Sequence, residues 1–308
     1  MPSRQIAILD APSNLGLRPP APGREPGVRH LASALRQERL GERLGSQDRG
    51  RAIPPDYSPE PDLAVGFRNG TSLARYTGEL ASRIEPILAA GEFPLVLGGD
   101  CSILLGAALA LRRRGRYGLA FIDGHDDYSL IREPAKYPGV LAGAGLDLAL
   151  VTGHGPDVLS NREGLGPYIR EDDVVQIGLS RTAEDATWYS TETFDQSEIL
   201  TCPQEQIRSV GGRAAAAIAR SRLEETATLG YWIHLDVDVL DQTVMPAVDS
   251  PNECGLRLDE LEEILAGLLA SRRVAGMNLS IFDPELDPDR RLATLLVDLL
   301  VRVLRAPR

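Results

Sequence analysis

An α/β fold with a mostly parallel central sheet and helices over both faces is the architecture this sequence of 308 residues predicts. Three observations predict it. Short apolar runs that read as strands (5–9, 93–97, 118–122, 173–179, 230–237 and 276–281) alternate with segments of helical period (72–90, 102–114, 204–219, 258–271 and 290–305). Such alternation builds βαβ units, whose strands lie parallel because a helix carries the chain back before the next strand begins. The last helical segment keeps its apolar residues on one stripe (Leu292, Leu295, Leu296, Leu299, Leu300 and Val303), as a helix laid on a sheet requires.

Each element has a local reason. The first strand, Ile6-Ala7-Ile8-Leu9, gives way to residues 10–28, rich in Pro and Gly, and 45–62 has the same composition; both read as loops. Phe93–Leu97 leads into Gly98-Gly99-Asp100-Cys101-Ser102, a tight turn that opens the helix starting Ile103-Leu104-Leu105. Arg112, Arg113 and Arg114 fall at that helix's end, where cations suit the dipole, and read as a solvated face. Residues 130–145, with Pro134 and Pro138, form another loop. Ligands of such sheets bind at the carboxyl ends of the strands, so the turns after the strands are where chemistry belongs.

Composition narrows the function. Hydrophobic content of 43% and charged content of 25% fit a soluble globular protein. No apolar run reaches the roughly 18 residues of a membrane span, and the N-terminus lacks the pattern of a signal peptide; the reading is cytoplasmic, without a membrane partner. A net charge of −11 argues against nucleic acid, which needs a basic face, and fits a small-molecule substrate. Three widely spaced cysteines, Cys101, Cys202 and Cys254, imply neither a disulfide framework nor a paired-cysteine metal knuckle. With only four histidines, a metal site must lean on carboxylates.

Two stretches supply them: Asp123-Gly124-His125-Asp126-Asp127 after the strand ending Phe121-Ile122, and His234-Leu235-Asp236-Val237-Asp238 at the end of another. Side chains two apart on a strand share a face. The pattern therefore groups Asp123, His125 and Asp127, and likewise His234, Asp236 and Asp238, at one end of the sheet. Gathered carboxylates repel and raise one another's pKa; divalent cations remove the problem. Either stretch alone is compatible with a solvated loop. Together, each closing a strand, they point to two metals with shared Asp ligands, able to lower the pKa of a bridging water and present hydroxide to a substrate.

These motifs resemble the ureohydrolase superfamily of arginase, agmatinase and formimidoylglutamase. "LGGDCS" resembles its GGDHS, "FIDGHDDYS" its DAHxD and "HLDVDVLDQTVMPAVDSP" its DxDxxDP signature; "GREPGVRHLASALR" matches its early Gly-rich loop and helix, and "MNLSIFDPELD" its strand ending in Asn-Pro. The resemblance spans most of the chain. It implies a three-layer α/β/α, arginase-like fold, one catalytic domain over 1–308, two manganese ions, and homo-oligomers (trimers or hexamers). It places one metal on Cys101, Asp123, Asp127 and Asp236, and the other on Asp123, His125, Asp236 and Asp238. Asp127 and His125 become the candidate catalytic residues.

Three departures matter. Cys101 stands where the family has a metal-binding His, and sulfur favours zinc, iron or another soft metal over manganese; the alternative is a buried thiol beside a weakened site. Ile281 stands near the family's Glu before Asn-Pro, with Asp283 in place of the Asn. The segment Ile177-Gly178-Leu179-Ser180-Arg181 lacks the expected acids and brings a cation. Arg181 and Asp283 are the candidate substrate-binding residues. The family's shuttle His has no clear match: Ala144 falls near its place, and His154 reads as a surface residue. His234 is either a partner orienting a metal-binding Asp or a packed core histidine. The expected activity is hydrolysis of a linear amidine or guanidine C–N bond, on a modified or non-arginine guanidino or formimino substrate such as an N-hydroxylated arginine. The rival expectation is a non-catalytic, metal-binding or regulatory descendant of the fold.

Overall fold

The computed structural model describes residues 5–131, 141–181, 189–226 and 228–305. Eight strands form one sheet: β1 (Ile6–Asp10), β2 (Gln47–Arg51), β3 (Phe93–Leu97), β4 (Gly118–Ile122), β6 (Val174–Ile177), β8 (Leu200–Cys202), β9 (Tyr231–Asp236) and β10 (Val274–Ser280). Their order is β2-β1-β3-β10-β9-β4-β6-β8, and every pairing is parallel. β5 (Leu130–Ile131) and β7 (Tyr189–Ser190) make a separate antiparallel pair.

Two apolar cores flank the sheet, giving the three layers. Ile6, Ile8, Leu95, Leu97, Ile122, Ile233 and Leu235 pack under the helices Leu31–Gln37, Gly212–Glu225, Leu258–Leu269 and Arg291–Arg305. Their neighbours Ala7, Leu9, Val96, Phe121 and Trp232 pack under Gly70–Ala89 and Ile103–Arg114. A strand covered on both faces is apolar at nearly every position, which is why these segments read as near-continuous runs.

The register positions the site. Leu97 pairs with Leu279, Leu279 with Leu235, and Leu235 with Ile122. The four central strands therefore end in one row. The turns that follow β3, β4, β9 and β10 leave the sheet side by side, at the carboxyl ends.

Two expectations are corrected. The helix expected over 204–219 is two helices, Gln204–Val210 and Gly212–Glu225, parted at Gly211, whose φ of +85° a helix cannot contain. The 45–62 loop contains edge strand β2; all five of its residues are exposed, so it carries no hydrophobic signal. Most of the 130–145 loop lies outside the described residues.

Candidate metal centre

The turn after β3 is built by close contact. A Cβ on Gly99 would lie 1.6 Å from the Ser13 carbonyl oxygen, and one on Gly98 2.2 Å from Ile103 Cδ1. Asp100 stitches the same contact: its carboxylate accepts from Ser13 Oγ at 2.9 Å, Gly16 N at 3.1 Å and Ser102 N at 2.9 Å. Cys101 is thereby driven inward, fully buried, with Sγ donating to Asp236 Oδ2 at 2.6 Å and lying 3.0 Å from the Ser280 hydroxyl. Burial first, then the charges of Asp236 and its neighbours, holds the thiol well above its ordinary pKa in the absence of a cation.

Asp123, His125 and Asp127 do not share a strand face, contrary to the alternation expected of them. β4 ends at Ile122, and 123–129 is a run of bends in which Asp127 takes a positive φ of +41°. The convergence comes from a loop, held in place by side chains. Gln176 of β6 donates Nε2–H to the carbonyls of Asp123 (3.0 Å) and His125 (3.2 Å). Asp126 turns away from the centre and accepts from Tyr128 N, Ser129 N and Ser129 Oγ. Asp123 Oδ1 accepts from His125 N at 2.7 Å, whereas Oδ2 is buried with no donor among the described residues. His125 Nδ1 lies 3.1 Å from Asp238 Oδ2 and 3.6 Å from Asp123 Oδ1.

On the second motif the alternation holds for His234 and Asp236, both on β9, while Asp238 lies beyond it in the turn Val237–Val239. Asp236 Oδ1 accepts from Asp238 N at 2.8 Å, leaving Oδ2 toward Cys101. His234 is fully buried and stacked on Phe121, with ring centroids 4.8 Å apart.

The electrostatics are those of crowded anions. Burial lifts the Asp123 carboxyl to about 7, with the Asp238 charge adding and His125 opposing. Asp127 and Asp236 are pushed well above the usual carboxylate range by burial and then by neighbouring carboxylates. The Asp238 charge holds the His125 imidazolium well above its ordinary pKa, against burial. Two sets of ligating atoms each fall within 4.8 Å of one another: Cys101, Asp123, His234 and Asp236, and Asp123, His125 and Asp127. Asp123 belongs to both, and its orphaned oxygen is costly unless a cation meets it. The donor set fits a pair of divalent cations.

Above this floor opens a cavity of about 360 Å³, with His125, Asp127, Asp236 and Asp238 at its base and Ile281 in its wall. Ile281 sits at φ +77°, a conformation that a β-branched residue adopts only under strain. Arg181 lines the wall, with its guanidinium on Asp126 (3.0 Å) and Asp195 (2.6 Å) and over the Phe194 ring at 5.1 Å. Asp283 does not line this cavity. It borders the adjoining one, and its carboxylate accepts from Glu285 N at 2.9 Å. Ala144 lines the cavity wall; His154 is an exposed partner of Glu171 at 2.8 Å.

Sequence reasoning missed Asp249, which lines both cavities. The residue is exposed at the cavity wall; partial loss of solvent there, then the Asp238 charge, lifts its carboxyl to about 6. It was legible only as the acid in "PAVDSP". Gln176 was hidden as a lone polar residue in an apolar strand.

Comparison with known proteins gives the family and the fold. The family model described as Arginase family matches residues 4–305. The arginase of Bacillus caldovelox is 26% identical over 302 residues, covering 96% of this chain and 97% of that protein. The crystal structure of arginase from Bacillus cereus superposes with a TM-score of 0.83 at 25% identity, covering 99% of this chain and 100% of that one. Formimidoylglutamase from Bacillus subtilis shares the fold at a TM-score of 0.73 and 18% identity, covering 98% of this chain and 86% of that one. With its eight-stranded parallel sheet, its buried carboxylate centre and a family match spanning nearly its whole length, this chain belongs to the arginase family, whose members are metal-dependent ureohydrolases.

Proposed function

We propose that residues 1–308 form a single catalytic domain that uses two divalent metal ions to hydrolyse a linear amidine or guanidine C–N bond. The proposed substrate is a modified or non-arginine guanidino or formimino compound, such as an N-hydroxylated arginine. The observation that carries the reading is the pair of ligand sets sharing Asp123 directly beneath an open cavity. Cys101, Asp123, Asp127 and Asp236 would hold one ion, and Asp123, His125, Asp236 and Asp238 the other. When bound, the metals supply Lewis acidity and acidify water at the cavity floor.

The chain's own residues do the rest. Asp127 lines the cavity, where its carboxyl accepts the proton of the attacking water. Addition to the amidino carbon and cleavage of its bond to the amine release a urea-like product, and the proton returns to the leaving nitrogen. His125, gripped by Asp238, keeps Nδ1 turned toward the carboxylates. Asp249 offers the amidinium a charge partner that Ile281 cannot. Arg181 has five N–H donors and, among the described residues, gives two to Asp126 and Asp195, so it can also meet a substrate carboxylate.

Purified protein loaded with manganese should turn over hydroxyarginine or formimidoylglutamate faster than arginine, agmatine or guanidinobutyrate. Fast turnover of plain arginine refutes the substrate; no turnover of any favours the non-catalytic descendant. The two ends of the substrate are separable. Asp249→Asn should raise KM about 10- to 100-fold, the worth of one charge-assisted hydrogen bond. Arg181→Ala should raise KM for substrates bearing a carboxylate and leave KM for agmatine unchanged.

Manganese is the proposed metal, on the weight of the carboxylates; zinc or iron would follow if the Cys101 sulfur governs selectivity. Cys101→His should then raise manganese affinity relative to zinc, measured by competitive titration, and an unchanged affinity ratio would remove Cys101 from the ligand set. The arginase resemblance also supports a homo-oligomer, trimer or hexamer, in the cytoplasm. Among the described residues no helix is long and apolar enough to cross a membrane.

A further inference from the structure

A further buried carboxyl lies behind the cavity floor, outside every motif that the sequence offers. Asp147 opens the short helix Asp147–Val151, whose other residues are all apolar, and it is 0% exposed. Neither of its carboxylate oxygens accepts a hydrogen bond among the described residues. The Leu148 N–H lies nearby without forming one. Asp147 faces Asp127, whose carboxyl is within hydrogen-bonding reach, as well as Asp123 and the His234 ring, with Nε2 3.9 Å from Asp147 Oδ2. Two ionised carboxyls offer each other no proton, so the pair is satisfied only by a cation or a shared proton.

The state of His234 decides what it can do there. Trp232 Nε1 is only a donor, and it donates to Asn278 Oδ1 at 2.7 Å. That fixes the Asn278 amide, so its Nδ2–H donates to His234 Nδ1 at 2.8 Å. In the neutral ring the proton is then on Nε2. His234 is therefore not a metal ligand, although its nitrogen falls within reach of Cys101, Asp123 and Asp236. It is a buried donor with no acceptor yet in range, held in its plane by Phe121 and turned toward Asp147.

We propose that Asp147 is an additional carboxylate ligand of the metal centre, beside Asp127, and that His234 positions it through the Nε2–H. This rests on the reading of the centre as a two-metal site. A hard oxygen ligand of this kind favours manganese at a centre where Cys101 brings a sulfur.

The test is metal binding itself. Wild-type protein, stripped by chelator, reloaded with Mn²⁺ and dialysed, should carry two ions per chain by elemental analysis. Asp147→Asn should carry about one, or bind the second ion at least tenfold more weakly by calorimetry. With metal removed, the same variant should melt higher than wild type, because one member of a repelling buried pair is gone. His234→Leu should weaken the same ion, and His234→Gln, whose amide restores a donor, should recover it. Wild-type metal content and affinity in Asp147→Asn would overturn the proposal. So would a lower melting temperature of that variant in the stripped state, which would mark Asp147 as a structural acceptor. Failure of the wild type to bind Mn²⁺ would instead overturn the two-metal reading.

Discussion

Asp236→Asn is expected to lower kcat/KM by about 10³-fold or more, equivalent to about 4 kcal/mol of transition-state stabilisation. Asp236 is the junction of the centre: Oδ1 takes the Asp238 N–H, Oδ2 meets Cys101 Sγ, and the proposed ligand sets share the residue between both ions. Asn has the same shape, and its carbonyl oxygen still accepts from Asp238 N, so the turn after β9 keeps its form. What is lost is one negative charge between two cations, together with one ligating oxygen. Metal analysis should show fewer than two ions per chain in the same sample. The sign reverses without metal: the stripped variant should be more stable than stripped wild type, because burial of an extra carboxylate among Asp123 and Asp238 is what pushes Asp236 well above its usual range. Steady-state kinetics retaining a tenth or more of wild-type kcat/KM would exclude Asp236 as a shared ligand.

How much of this was legible in the sequence depends on whether burial or geometry carries the signal. The strands at 93–97 and 118–122 were read to the residue, because a parallel strand covered on both faces is apolar nearly throughout, and these two are wholly so. β2 was missed for the opposite reason: Gln47–Arg51 pairs through its backbone and buries nothing. The residue types of the centre were legible as clustered acids after strands, but their grouping was right for partly the wrong reason. Only His234 and Asp236 obey the alternation of a strand; Asp123, His125 and Asp127 are gathered by a loop that Gln176 and Asp126 hold. Asp147 left no motif at all, and Asp249 lay unremarked inside one. A single acid in an apolar helical turn and a single acid between prolines become functional only when distant turns meet, and no local pattern encodes that meeting.

The stability gap between metal-loaded and metal-free protein is expected to widen as pH rises from 5 to 8. In the metal-free chain Asp123 holds its proton up to about 7, against 3.8 for an ordinary Asp. The folded state therefore binds more protons than the unfolded state over that interval, and folding stability falls as pH rises through it, by about 1.4 kcal/mol per pH unit for each such carboxyl. Asp127 and Asp236, also raised, act in the same direction. His125 agrees: its raised pKa gives stability that is complete below the ordinary histidine value and fades as pH rises through the folded value. His234 opposes. Burial depresses it to about 3, so its contribution grows with pH between about 3 and 6.5, and is complete above that. Above pH 6.5 nothing in the centre offsets the carboxylates. Bound cations replace the protons and remove the repulsion, so the loaded protein escapes the loss. From pH 5 to pH 7 Asp123 alone corresponds to about 2 kcal/mol, and a kcal/mol is worth about 2 °C in a chain of this size; Asp127 and Asp236 add to it. Calorimetric melting at saturating manganese and in chelator should thus diverge by about 5 °C or more across the range. A gap that stays flat or narrows would mean that these carboxyls do not exchange protons for metal.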